Sequence, residues 1–176
     1  MSVRTHRERA IILVGHGGVP CDFPREKVRR LMMLEGQRNA TGAPMGREEA
    51  ALDREIREFP RSPKTDPYKT GLERLASVLA HRLPIPLYVA YNEFCAPSVT
   101  DAVARAIERG ALELVLVSSM MTPGGSHSEV EMPELVNDLQ REYPQVAICY
   151  AWPFDLDALA GLLVDHLERF TQPLAS

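Results

Sequence analysis

Four short apolar runs set the strongest limit on how this chain can fold: "AIILVG" from Ala10, "PLYVAYN" from Pro86, "LELVLVSSM" from Leu112 and "VAICYAW" from Val146. Each is rich in β-branched or aromatic residues and too short for a helix. None alternates cleanly with polar residues, the pattern of strands buried on both faces, as in a parallel sheet. The segments between them read as helices. "PSVTDAVARAIERG" carries Val99, Ala102, Val103, Ala106 and Ile107 on one face, with Ser98 as N-cap and Gly110 past the end. "GLERLASVLAHRL" places Leu72, Leu75, Leu79 and Leu83 on one side. "MPELVNDLQREYP" has Pro133 near its start and Leu135, Val136 and Leu139 inward. "DLDALAGLLVDHLERF" opens on Asp155 as cap and lines up Leu156, Leu159, Leu163, Leu167 and Phe170. Strands alternating with helices predict an α/β fold, a doubly wound and mostly parallel four-stranded sheet with right-handed crossovers.

One segment breaks this rhythm. Between the first and second strands lie far more residues than one crossover helix requires. The expectation is a single domain over 1–176, with 20–68 as a helical and loop insertion. "REKVRRLMMLE" reads as a helix with Val28, Leu31 and Met32 inward, and "EEAALDREIREF" as another with Leu52, Ile56 and Phe59 inward. "GQRNATGAPMG" and "FPRSPKTDPYKTG" read as loop. Added packing surface and a lid over a substrate are both open roles for this insertion.

In an open α/β sheet, ligands bind outside the carboxyl ends of the strands. The first strand ends in "VGHGG", which offers His16; the second ends in "YNEF", which offers Glu93. The third is followed by "TPGGSHSEVEMPEL", which holds His127 with Glu129 and Glu131 behind it. Two imidazoles and a carboxylate thus leave one edge of the sheet, a set suited to a borderline divalent metal such as Co, Ni, Fe or Zn. Gly17, Gly18, Gly124 and Gly125 flank the histidines and are the candidate ligand-approach positions, because they carry no side chain to crowd a bound molecule. His6, His81 and His166 receive no role. No G-x-S-x-G elbow accompanies "HGG", and "GHGGVP" lacks the third glycine of a dinucleotide fingerprint, so an esterase, a Rossmann cofactor site and other organic cofactors are not expected.

Composition narrows the partners. The net charge of −4 argues against a general nucleic-acid binder. The basic residues are unevenly placed: from Pro20 to Thr70 there are 11 Lys/Arg against 9 Asp/Glu, and from Gly71 onward 6 against 14. An acidic ligand is therefore more plausibly met by the first half. Cys21, Cys95 and Cys149 form no CxxC pair and leave an odd count, which fits a reducing compartment. With only a short, glycine-broken apolar run near the N-terminus, neither a membrane span nor a membrane partner is expected, and the location expected is cytoplasmic.

These residues resemble the class II chelatases of the sirohydrochlorin and cobalt-precorrin type. "ILVGHGG" looks like their opening strand and histidine, and "YVAYNEFCAPSVTDAVARAIERGALELVLV" is similar to their strand, acid, "PS" cap, helix and next strand. "TPGGSHSEVEMPEL" resembles their second histidine loop. The resemblance implies insertion of a divalent metal (Co2+, Ni2+ or Fe2+, as substrate) into a tetrapyrrole such as sirohydrochlorin. It also implies that His16 and His127 hold the metal and help take the pyrrole protons, with Glu93 as third ligand or proton acceptor. A non-catalytic metal or tetrapyrrole carrier would need the same ligands. Arg25, Lys27, Arg29, Arg30 and Arg38 in the insertion are candidate partners for the macrocycle's carboxylates. Single-unit relatives work as homodimers, so a homodimer, or the insertion, is expected to supply the second wall of the cleft.

Overall fold

The computed structural model describes residues 8–171, which leaves His6 outside the described residues. At its centre is β1 (Arg9–Gly15), paired in parallel with β2 (Leu87–Tyr91) on one side and β3 (Glu113–Ser118) on the other. β4 (Ala147–Tyr150) adds to β3, also in parallel, giving the order β2-β1-β3-β4. The chain thus crosses from β1 to one edge and then returns past β1 to β3 and β4. Strand order reverses between β1 and β3, the place where an open α/β sheet leaves a crevice at its carboxyl ends.

Alternate residues of the strands feed two cores. Ala10, Ile12, Val14, Leu114 and Leu116 pack with α4 (Val99–Glu108) and α5 (Met132–Glu142) through Val103, Met132 and Leu139. On the opposite face, Leu13 meets Leu72 and Ala76 of α3 (Pro67–Ala80), joined by Tyr91 and Cys95. Local sequence explains the helix starts. Ser98 and Asp101 form a reciprocal capping box on α4, and Asp66 caps α3 by accepting from the Lys69 N–H, with Pro67 at the first helical position.

The last helix departs from expectation. α6 (Leu156–Thr171) contributes no buried residue, and Leu163, Leu167 and Phe170 are 55%, 57% and 74% exposed. Its leucine stripe therefore does not enter the core of the chain. The sheet is correspondingly less covered than its apolar strands imply. β1 is buried on both faces, whereas β3 buries every second residue and β4 exposes Ala147 and Cys149.

Between β1 and α3 lie α1 (Arg25–Thr41) and α2 (Arg47–Glu58). Phe23, Leu31 and Ile56 form a third small core with Val28, Leu52 and Phe59 around it. Phe94, from the loop after β2, completes this core and so ties the two helices to the end of the sheet. α1 is longer than its sequence suggests: it runs through "GQRNAT" and ends on Gly42, whose φ of 65° closes the helix with an N–H bond to the Arg38 carbonyl. Met32 is not inward but 52% exposed, facing a cleft described below.

If α1 and α2 are integral to the fold, deleting the fully buried Ile56 side chain destabilises the whole chain. We expect Ile56→Ala to cost about 2–5 kcal/mol in urea unfolding, with a single cooperative transition retained.

Candidate metal centre

The parallel ladder of β1 and β2 continues past the strand ends and brings two of the three candidate ligands side by side. Asn92 N–H donates to the Gly15 carbonyl at 2.8 Å, and Glu93 N–H donates to the His16 carbonyl at 2.7 Å. Tyr68, from α3, accepts the His16 N–H at 2.8 Å. Gly17 is required by this approach. Its φ is 96°, and a Cβ there would lie 1.8 Å from the Glu93 carbonyl oxygen, so its missing side chain makes room for main chain rather than for a ligand. Gly18 lies against Asp66 and Tyr68, while Gly124 and Gly125 open into free space.

His127 arrives by another route. It opens a π-helical turn, His127–Glu131, joined directly to α5; such turns recur at functional sites. The loop before it closes on itself: Ser128 and Glu129 N–H groups donate to the Gly125 carbonyl, and the Glu129 carboxylate accepts from Gly124 N–H at 2.8 Å.

The three side chains converge. His16 Nε2 lies 3.7 Å from one Glu93 oxygen and His127 Nε2 lies 3.7 Å from the other, with the imidazole rings edge-to-face at 4.9 Å between centroids. One ligand atom from each falls within 4.8 Å of the others, the one such group of three found among the described residues. The outer nitrogen of each ring has a partner of its own. His16 Nδ1 lies 2.8 Å from the Gly17 carbonyl, which can only accept, so that nitrogen carries the proton. His127 Nδ1 lies 2.9 Å from the Glu131 carboxylate, to which the Asn92 amide also donates at 3.4 Å. A proton donated to Glu131 leaves Nε2 free, the arrangement by which an outer carboxylate orients a metal-ligating imidazole.

A cleft of about 830 Å3 opens beside this group, within the range that holds large organic ligands. Glu93, His127 and Glu131 line one wall, and Met32, Glu35, Arg38 and Asn39 of α1 line the other. Of the five basic residues put forward for a carboxylate-bearing substrate, Arg38 reaches the cleft. It is held by Glu49 at 2.8 Å and approached by Glu35 at 3.7 Å. Lys27 pairs with Glu55 and Arg30 with Glu48, while Arg25 and Arg29 face solvent. His81 ends α3 with its ring on the Ser77 carbonyl, and His166 sits against Phe170 on α6.

Sequence reasoning missed Tyr68, Asn92 and Glu35. Asn92 could have been flagged as the neighbour of Glu93; nothing in the sequence marks the other two. Burial first, and then the negative charge of Glu93, push the Glu35 carboxyl up; Arg38 opposes this, while Glu49 and Glu131 add to it. The folded chain therefore holds a proton on Glu35 to higher pH than the unfolded chain does, and its stability falls as pH rises from the ordinary carboxylate range through the raised value. Glu35→Gln is expected to melt above the wild type at neutral pH, with the gain vanishing below about pH 4, where both carry a neutral side chain. Thermal melts across that range check it.

The CbiX family model matches residues 64–169, a span that contains Glu93 and His127 and excludes His16, α1 and α2. The chain is 26% identical over 89 residues to a sirohydrochlorin ferrochelatase of Priestia megaterium, a match covering 49% of this chain and 33% of that protein. It is 30% identical over 63 residues to a sirohydrochlorin cobaltochelatase of the same organism, covering 36% and 20%. The matches thus span a third or less of these curated relatives. Among solved structures, a CbiX protein from Marinobacter aquaeolei VT8 has the same fold, with a TM-score of 0.53 at 19% identity over 92% of this chain and 98% of that one.

Proposed function

This chain belongs to the CbiX family, and on that premise we propose that it inserts a divalent metal ion into a tetrapyrrole such as sirohydrochlorin. Co2+, Ni2+ and Fe2+ are the candidate ions, each a substrate rather than a resident cofactor. The observation that carries the reading is the convergence of His16, Glu93 and His127 within 4.8 Å, with Glu93 and His127 lining the cleft beside them.

The chemistry asks for such a group. As the metal enters the macrocycle, two pyrrole N–H bonds break, bonds from the metal to the ring nitrogens form, and the released protons must be taken up. In this reading the free Nε2 atoms of His16 and His127, with the Glu93 carboxylate, hold the ion before transfer. As the ion leaves them they become free to accept protons, which an imidazole does near neutral pH. Glu131 keeps the His127 ring oriented, and the Asn92 amide donates to the same carboxylate from the loop of Glu93. α1 would form the second wall for the macrocycle, with Arg38 as the partner for one of its carboxylates.

The test is anaerobic turnover of sirohydrochlorin with Co2+, Ni2+ or Fe2+, followed by the change in its absorbance. We expect multiple turnovers for the wild type and a loss of at least about a hundredfold for His16→Ala or His127→Ala, each with unchanged secondary structure. Wild-type rates in either variant would remove the site assignment. A stoichiometric burst without turnover would make the protein a carrier.

We also propose a second copy of the chain as partner. Leu156, Leu162, Leu163, Val164, Leu167 and Phe170 on α6 are each more than half exposed, an apolar surface that monomers rarely leave bare. Light scattering after size exclusion is expected to give a dimer mass, and Leu163→Glu with Leu167→Glu to return a folded monomer. A cytoplasmic location is proposed as well. Its support is that Cys21, Cys95 and Cys149 are free and that no helix among the described residues is long and apolar enough to cross a membrane.

A further inference from the structure

α1 faces the candidate centre across the cleft, whereas α2 and the segment after it reach the same centre from behind. Glu93 stands in the loop from Asn92 to Cys95, next to Phe94, whose φ of 54° is a left-handed conformation that a side chain disfavours. A carboxylate on such a loop needs something to hold its main chain. Three carbonyls of the loop accept hydrogen bonds from two guanidinium groups. Arg57 donates to the Asn92 carbonyl at 3.1 Å and to the Cys95 carbonyl at 3.2 Å, and Arg61 donates to the Phe94 carbonyl. Arg61 also donates at 2.7 Å to the carbonyl of Gly18, two residues beyond His16.

Both arginines are themselves fixed. Asp53 takes the Arg57 Nε–H at 2.9 and 2.8 Å, and Asp66, which also caps α3, pairs with Arg61 where both side chains are almost wholly buried. A planar fork with donors in fixed directions can span two carbonyls at once; an ammonium on a flexible stem cannot do so with the same definition.

We propose that Arg57 and Arg61 are positioning residues for the metal centre: together they clamp the Glu93 loop and tie it to the His16 loop, so that the carboxylate stands at the two imidazoles before an ion arrives. The proposal rests on the reading of His16, Glu93 and His127 as ligands. It assigns the additional helices a second task besides walling the cleft, and it places the control of Glu93 in residues that precede the span matched by the family.

Co2+ titration of the whole chain, read by the visible absorption of the bound ion, tests the clamp in Arg57→Ala, Arg57→Lys and Arg61→Lys, with thermal melts alongside. At a temperature where each variant is folded, Arg57→Ala is expected to weaken Co2+ binding about tenfold to a hundredfold and to alter the Co2+ spectrum. Arg57→Lys is expected to recover the melting temperature more fully than the spectrum, because it restores charge and length without the fork. If the arginines serve the fold alone, the melts fall while affinity and spectrum of the folded variants match the wild type, and the clamp is overturned with the centre intact. If wild-type chain gives no Co2+ spectrum that His16→Ala abolishes, the centre itself is wrong and the clamp falls with it. Should Arg61→Lys, at the more deeply buried position, fail to fold, the Arg57 pair decides the outcome.

Discussion

The hydrogen bond from the Glu93 N–H to the His16 carbonyl is the interaction on which the rest of the candidate centre depends. It lies one step past the parallel ladder between β1 and β2, whose last regular rung is the bond from the Asn92 N–H to the Gly15 carbonyl. The register from Ile11 with Leu87 to Gly15 with Tyr91 sets His16 opposite Asn92, and the chain beyond draws Glu93 in beside His16. A one-residue slip would turn Glu93 to the other face of the sheet. The cost of the close approach is borne at one position, Gly17, where no side chain can be accommodated.

The third candidate ligand is brought in by the reversal of strand order. β3 lies beside β1 on the side away from β2, so the loop that follows it opens onto the same crevice. Its ring is then set by Glu131, which also accepts from the amide of Asn92, and Asn92 belongs to the β2 loop. The two halves of the centre are thus linked by polar contacts as well as by the sheet. Around them the negative groups outnumber the positive: Glu35, Glu93, Glu131 and Glu134 line the cleft against Arg38. That balance suits a divalent cation, and burial followed by the charge of Glu93 raises the Glu35 carboxyl.

The additional helices are not an appendage to this arrangement. Their small core includes Phe94, their inner helix walls the cleft, and their arginines hold the carbonyls behind Glu93. α6 is the opposite case. Its sequence is as strongly amphipathic as a core helix, yet none of its residues is buried in this chain. Periodicity reports that a face must be covered; it carries no information on whether the cover comes from the same molecule.

What the sequence determined by itself was local and periodic. Four apolar runs alternating with helical patterns are enough for a parallel α/β sheet, and the Ser98 signal marks a helix start because capping acts within one turn, whereas Asp66 and Pro67, which open α3, lie in a stretch that reads as loop. With the rule that ligands gather at carboxyl strand ends, His16, Glu93 and His127 could be picked out from their positions alone. The additional helices were legible as helices, but their contacts were not: Met32 faces the cleft, and Lys27 and Arg30 are spent on acids of α2 rather than on a ligand. Only the tertiary structure placed Tyr68, Glu35, Arg57 and Arg61 at the centre. The physical reason is that each reaches it through main-chain N–H or carbonyl groups or shared burial over dozens of residues of separation, and such contacts leave no spacing or pattern in the chain that makes them.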